Sequence, residues 1–210
     1  MGPEPRVSGG EAASGAYTAQ WLKERVATGR AVTPVLESGA TRAAHELTPA
    51  AVLVPVIDRS EGLMVLFTQR TAHLYDHPGQ VAFPGGRMEA SDDSPVVTAL
   101  REAREEIGLE PSQVDVLGTL PDYHTGTGFR VTPVIGLVNP PLSLQVDEFE
   151  VAAVFEAPLD FLLDPANHQR HSAEIRGALR HYYAMPYQGF FIWGATAGMV
   201  VSLYRHLFSL

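Results

Sequence analysis

The chain has 210 residues, 45% of them hydrophobic and 19% charged, and it contains no cysteine. That length suits one domain with appendages, and the missing thiols exclude disulfides, cysteine nucleophiles and cysteine-bound metal. The formal net charge of −9 argues against holding nucleic acid by counterion release.

Residues 1–16 are rich in Gly, Pro, Ser and Ala and predict a disordered arm without the apolar stretch of a secretory signal. No apolar run approaches the roughly 20 residues that span a bilayer. The expectation is therefore a cytoplasmic protein with neither membrane nor nucleic acid as partner. An amphipathic helix is predicted from Ala16 to about Gly29, with Trp21, Leu22 and Val26 on one face. Residues 31–47 are ambiguous, and 17–48 together are read as a helical N-terminal extension to a main domain at 49–210. Ala51 to Ile57 and Leu63 to Thr68 read as strands joined by the turn Arg59-Ser60-Glu61-Gly62. Residues 70–80 read as a loop, and Val81 to Phe83 as a brief strand stopped by Pro84-Gly85-Gly86.

The clearest helix is 94–108. Ser94 suits the N-cap, Pro95 the first helical position and Gly108 the exit. Val96, Ala99, Leu100, Ala103 and Ile107 form an apolar stripe. Further strands are predicted at Val114 to Leu120, Val131 to Val138, Val151 to Phe155, His181 to Met185 and Gly189 to Phe191. A short helix begins at Pro158, and a last helix runs from about Gly194 to Phe208, with Trp193 before it as a core residue. Mixed strands with helices before, between and after predict an α/β or α+β layered sandwich.

The chemistry lies in the helix at 94–108. Glu102, Glu105 and Glu106 sit at i, i+3 and i+4 and share one face. Crowded carboxylates repel, and a hard divalent cation such as Mg²⁺ or Mn²⁺ relieves that repulsion through oxygen ligands. On an isolated helix the same residues would read as a solvated face with Arg–Glu pairs. Phe83-Pro84-Gly85-Gly86 just upstream changes the reading. Glycines there let backbone groups approach an ion or a phosphate.

Gly86 through Leu109 resembles the Nudix box: a glycine, an acid after a spacer, then Arg-Glu-apolar-x-Glu-Glu-x-Gly-apolar. Arg101, Glu102, Ala103, Glu105, Glu106, Gly108 and Leu109 fill its second half. The first half departs, because the acid is Asp92 and the loop is one residue too long. That weakens a ligand role for Asp92 or Asp93. Leu66 to Arg70, His77 to Gly86, Gly128 to Val134 and Ile192 to Thr196 are similar to segments of the coenzyme A pyrophosphatase branch. That branch often has Arg where this chain has Tyr75.

The resemblance implies a Nudix α/β/α sandwich with a mixed sheet. It also implies a pyrophosphohydrolase, dependent on Mg²⁺ or Mn²⁺, that cleaves coenzyme A or its thioesters to 3′,5′-ADP and 4′-phosphopantetheine or its acyl derivative. The alternatives are another small-molecule nucleoside diphosphate derivative (NADH, ADP-ribose or a dinucleoside polyphosphate), or a nucleotide sensor without turnover. Glu102, Glu105, Glu106 and a carbonyl near Gly86 would hold the metal. Glu105, Glu102 and Arg101 would form the catalytic set, with Arg101 orienting a glutamate. The general base stays open among Glu105, Glu102 and a later acid, Glu150 or Glu148. Arg70, Gly85, Gly86, Tyr123 and Phe129 are the expected substrate contacts, the two aromatics as stacking surfaces for a base. His73, His77 and His124 lie in loops near the expected mouth. Homodimerisation is left open.

Overall fold

The computed structural model describes residues 17–29, 35–36, 43–73, 78–175 and 177–209. The elements in chain order are α1 (Ala19–Thr28), β1 (Val35–Leu36), β2 (Thr48–Arg59), β3 (Gly62–Arg70), β4 (Val81–Ala82), β5 (Gly85–Arg87) and α2 (Pro95–Ile107). There follow β6 (Val114–Thr119), β7 (Tyr123–His124), β8 (Phe129–Val138), β9 (Val151–Pro158) and α3 (Leu159–Leu163). The chain closes with β10 (Gln169–Ile175), β11 (Ala178–Tyr187), β12 (Phe190–Trp193) and α4 (Gly194–Phe208).

Among the described residues, β1 to β9 form one mixed sheet. Its spine runs β1-β7-β8-β2-β3-β4, with β5 paired to β2, β6 to β8 and β9 to β3. β2 and β8 are parallel over ten registered pairs, Thr48↔Phe129 to Ile57↔Val138, while β2 and β3 form a hairpin closed at Arg59↔Gly62. A second antiparallel sheet has the order β10-β11-β12.

The central strand β2 is apolar from Ala50 to Ile57 because both its faces are covered there. Ala51, Leu53 and Ile57 point to one side, where Ala99, Ala103 and Ile107 of α2 meet them. Val54 and Val56 point to the other, into a larger core shared with Leu22 and Val26 of α1, Leu159 and Leu162 of α3, and Val200 and Leu203 of α4. The result is an α/β/α sandwich with a mixed central sheet, the architecture the resemblance implies.

Helix α1 is part of that larger core. Leu22 is fully buried, Tyr17 stacks on Trp21 with centroids 4.2 Å apart, and Trp21 meets Phe208 of α4. The helix begins at Ala19, later than its composition predicts, because the Thr18 hydroxyl accepts the Trp21 backbone N–H and caps it there. Ala16 and most of the ambiguous stretch 31–47 lie outside the described residues.

Several features differ from the expected elements. His124, expected in a loop, lies in the unpredicted strand β7, paired with Arg130. β4 ends before Pro84 as expected, but Gly85-Gly86 then begins a further strand, β5, which pairs with β2 through Val52↔Gly85 and Ala51↔Gly86. β10, a polar run without apolar alternation, is an unpredicted strand. Trp193, expected in the core, is only half-buried and meets Tyr182 edge-on.

Candidate active site

Helix α2 is fixed at both ends by its own sequence. The Ser94 hydroxyl accepts the Val97 N–H, Pro95 needs no donor at the first position, and Gly108 takes the left-handed conformation with φ of 69°. A side chain at Gly108 would also press on the backbone of Gln145. That close approach brings the 143–150 segment alongside the helix end. Gln145 N–H donates to the Ile107 carbonyl and Asp147 N–H to the Glu106 carbonyl, each at 2.9 Å. Two of the carbonyls that a helix end leaves open are thereby satisfied, and Glu150 arrives beside the helix.

The three glutamates of α2 occupy three environments. Glu106 is buried, with 6% relative exposure. The Gly85 backbone bonds its carboxylate, yet its Oε2 is buried without a hydrogen-bond partner. Desolvation pushes its pKa up to about 8, with the charges of Glu102 and Glu150 adding to the rise and Arg70 opposing it. Glu102 is half-buried, and desolvation raises its pKa too, against the pull of Arg101. Glu105 is the most exposed and faces the rim, where Arg101 Nη1 holds it at 3.1 Å.

Arg101 binds these groups together. Its Nη1 donates to Glu102 Oε1 at 2.9 Å as well as to Glu105, and its Nη2 donates to the Arg87 carbonyl at 3.2 Å. Nε and Nη2 form a fork on Asp92, at 3.1 and 2.9 Å. Asp92 is itself buried and also accepts the Glu89 N–H and the Thr98 hydroxyl. These bonds hold its carboxyl well below the usual carboxylate range, the Arg101 contact most of all. The departure at Asp92 thus has a structural account. It anchors the arginine, and the extra loop residue carries the shorter acid within reach.

The glycines are required by proximity. A Cβ on Gly86 would overlap the Glu102 carboxylate, and one on Gly85 would overlap the Ala51 carbonyl. Strand β5 therefore runs against both the helix carboxylates and the neighbouring strand.

Of the other expected site residues, Arg70 and Glu150 join the cluster electrostatically, both acting on Glu106. Glu148 is exposed and is not among the groups that shift Glu102 or Glu106. Tyr123 does not stand as a stacking surface. It is 4% exposed, packed in the larger core, with its ring against Gly198. Phe129 packs on that same side of the sheet, away from α2, and the Arg87 guanidinium lies over its ring at 5.3 Å. His73 is exposed beside Phe149, whereas Tyr75 and His77 lie outside the described residues. A depression of about 600 Å³ borders Glu105, Arg104 and Gln145 but is not lined by Glu102 or Glu106.

The site fits a hard divalent cation. A buried carboxylate oxygen without a partner, a second carboxylate against a glycine cradle and adjacent backbone groups form an oxygen donor set of the right kind. Among the described residues, no three acidic or imidazole side chains already converge into a closed cage. An ion that keeps several of its own waters and shares substrate oxygens needs none.

Carboxylates, a cradle of glycines and an arginine thus meet at one strand–loop–helix junction. Residues 47–183 match the model of the NUDIX domain. Over 154 residues, 73% of this chain and 80% of the relative, the chain is 46% identical to the uncharacterized Nudix hydrolase NudL of Cronobacter sakazakii. Over the same shares it is 43% identical to NudL of Escherichia coli K12. A solved MutT/nudix family protein from Enterococcus faecalis is 15% identical, with a TM-score of 0.49 over 80% of this chain and 64% of that one. The chain belongs to the Nudix family. It is a Nudix hydrolase, an enzyme acting on a nucleoside diphosphate derivative, and the family works with divalent ions such as Mg²⁺ or Mn²⁺. Among the described residues, no helix is long and apolar enough to cross a membrane.

Proposed function

We propose that the substrate is coenzyme A or one of its thioesters, and that water cleaves its diphosphate to 3′,5′-ADP and 4′-phosphopantetheine or the acyl derivative. The observation that carries the phosphate chemistry is the Glu106 carboxylate, buried with an unpartnered oxygen beside Glu102 and the Gly85-Gly86 strand. The coenzyme A assignment is supported by the likeness of Leu66 to Arg70 and His77 to Gly86 to that branch of the family.

Glu102 and Glu106, with backbone oxygen near Gly86, would hold the cation. When bound, it neutralises diphosphate charge and acidifies the attacking water. The chain's own residues do the rest. Arg101 holds Glu102 and Glu105 in fixed orientation through charge-assisted bonds. Arg70 brings a guanidinium, whose fork matches phosphate oxygens, to the same corner. Glu150 lies within electrostatic reach of Glu102 and Glu106 and takes the proton of the attacking water. It is the acid outside α2 whose charge acts on both Glu102 and Glu106.

The test is kinetic. Glu106→Gln and Glu150→Gln should each lower kcat by at least about a hundredfold, with the far-ultraviolet circular dichroism unchanged. A folded Glu106→Gln enzyme at wild-type turnover in saturating Mg²⁺ would overturn the site.

A further inference from the structure

Phe149 is the most exposed large apolar side chain among the described residues, at 65%. Leaving a phenylalanine largely in water forgoes most of the gain of burying it, so its position calls for a reason. Looseness is not the reason, because the turn is bonded through both backbone groups of Phe149. Phe149 N–H donates to Asp147 Oδ1 at 2.9 Å, and its carbonyl accepts the buried Thr71 hydroxyl at 2.8 Å. Thr71 N–H in turn donates to the Glu150 carbonyl at 2.9 Å.

The place is as telling as the exposure. Phe149 directly precedes Glu150, and Thr71 directly follows Arg70, and these are the two outer charges acting on Glu106. The imidazole of His73, also exposed, lies 4.8 Å from the Phe149 ring at a 60° tilt. A rigid turn thus fixes an open aromatic face at the rim of the catalytic cluster. Tyr123 and Phe129 offer no such face, one being buried and the other covered by Arg87.

We propose that Phe149, braced by His73, is the stacking platform for the nucleobase of the substrate. This rests on the Nudix hydrolase reading and adds to it the residue that recognises the base. Every nucleoside diphosphate derivative carries such a ring, and stacking needs only an exposed π-face held still. The diphosphate lies over the cluster while the base lies against Phe149.

The test compares adenosine 5′-monophosphate with ribose 5-phosphate, which keeps the phosphate and lacks the base. Each is titrated calorimetrically into the full-length wild type, Phe149→Ala and Phe149→Tyr in Mg²⁺. Wild type should prefer the nucleotide by roughly tenfold or more. Phe149→Ala should lose that preference while binding ribose 5-phosphate as before, and Phe149→Tyr should restore it. Equal binding of both probes by wild type would overturn the proposal. So would a full preference kept by Phe149→Ala, or a parallel loss of both probes in that variant. If coenzyme A is not cleaved but the preference and its loss hold, the substrate assignment fails and the platform stands. If coenzyme A is cleaved without a preference that depends on Phe149, the platform fails alone.

Discussion

Glu106 shows what burying a carboxylate costs in stability. Its carboxylate is buried among acids, and its pKa is raised from 4.5 to about 8. A raised pKa means that the folded state holds the proton more tightly than the unfolded chain. Stability is therefore complete below the unfolded value and is lost as pH rises toward the folded one. Without metal, Glu106→Gln should leave stability unchanged near pH 4 and increase it by a few kcal/mol near pH 8. Urea denaturation in EDTA across that range is the check, and a variant that is no more stable than wild type at pH 8 would contradict the burial account. Asp92 has the opposite sign. Its carboxyl is held below the usual range by Arg101, so it stabilises the fold above the unfolded pKa near 4 and loses that effect only as pH falls below it. Asp92→Asn should lower Tm at pH 7, with the gap to wild type closing in acid. It should also lower kcat, since Arg101 loses the fork that aims it at Glu102 and Glu105.

At the scale of elements, β5 and α2 are fitted to each other through two glycines with different neighbours. A methyl on Gly86 meets the far end of a side chain, the Glu102 carboxylate, whereas one on Gly85 meets the backbone of β2. Gly86→Ala should cost under about 1 kcal/mol of stability and at least about tenfold in kcat/KM. Gly85→Ala should destabilise more, by roughly 1–3 kcal/mol. Thermal melts and steady-state kinetics on both variants separate the two effects. Helix α2 was legible from the sequence because cap, proline, apolar period and exit glycine agree. β5 was not, because two glycines read as a breaker until a neighbouring strand supplies their hydrogen bonds. β10 was hidden by a polar run, Gln169–Ile175, whose order comes from pairing with β11. The site divided in the same way. Arg101, Glu102 and Glu106 follow from helical spacing, but Arg70 and Glu150 meet them only through the tertiary fold. Asp92 looked like a lost ligand because spacing cannot show a bond that reaches across a loop. An exposed Phe149 carries no sequence signal at all, since exposure is a tertiary property.

For the whole molecule, the N-terminal helix is core rather than appendage. Leu22 is fully buried against the sheet layer and α4, and the aromatic contacts of Tyr17, Trp21 and Phe208 seal the junction. Leu22→Ala should cost roughly 2–5 kcal/mol in urea denaturation, the range for a fully buried leucine. A loss under 1 kcal/mol would show that α1 rests on the core without completing it. The measurement that tests the central claim most directly is mass spectrometry of products. Coenzyme A, acetyl-coenzyme A, NADH, ADP-ribose and diadenosine polyphosphates would be incubated with the full chain, in Mg²⁺, in Mn²⁺ and in EDTA. Metal-dependent release of 3′,5′-ADP with phosphopantetheine, absent in EDTA and with Glu106→Gln, is the predicted result. Cleavage of another member alone would contradict the coenzyme A assignment, and equal cleavage by Glu106→Gln would contradict the site.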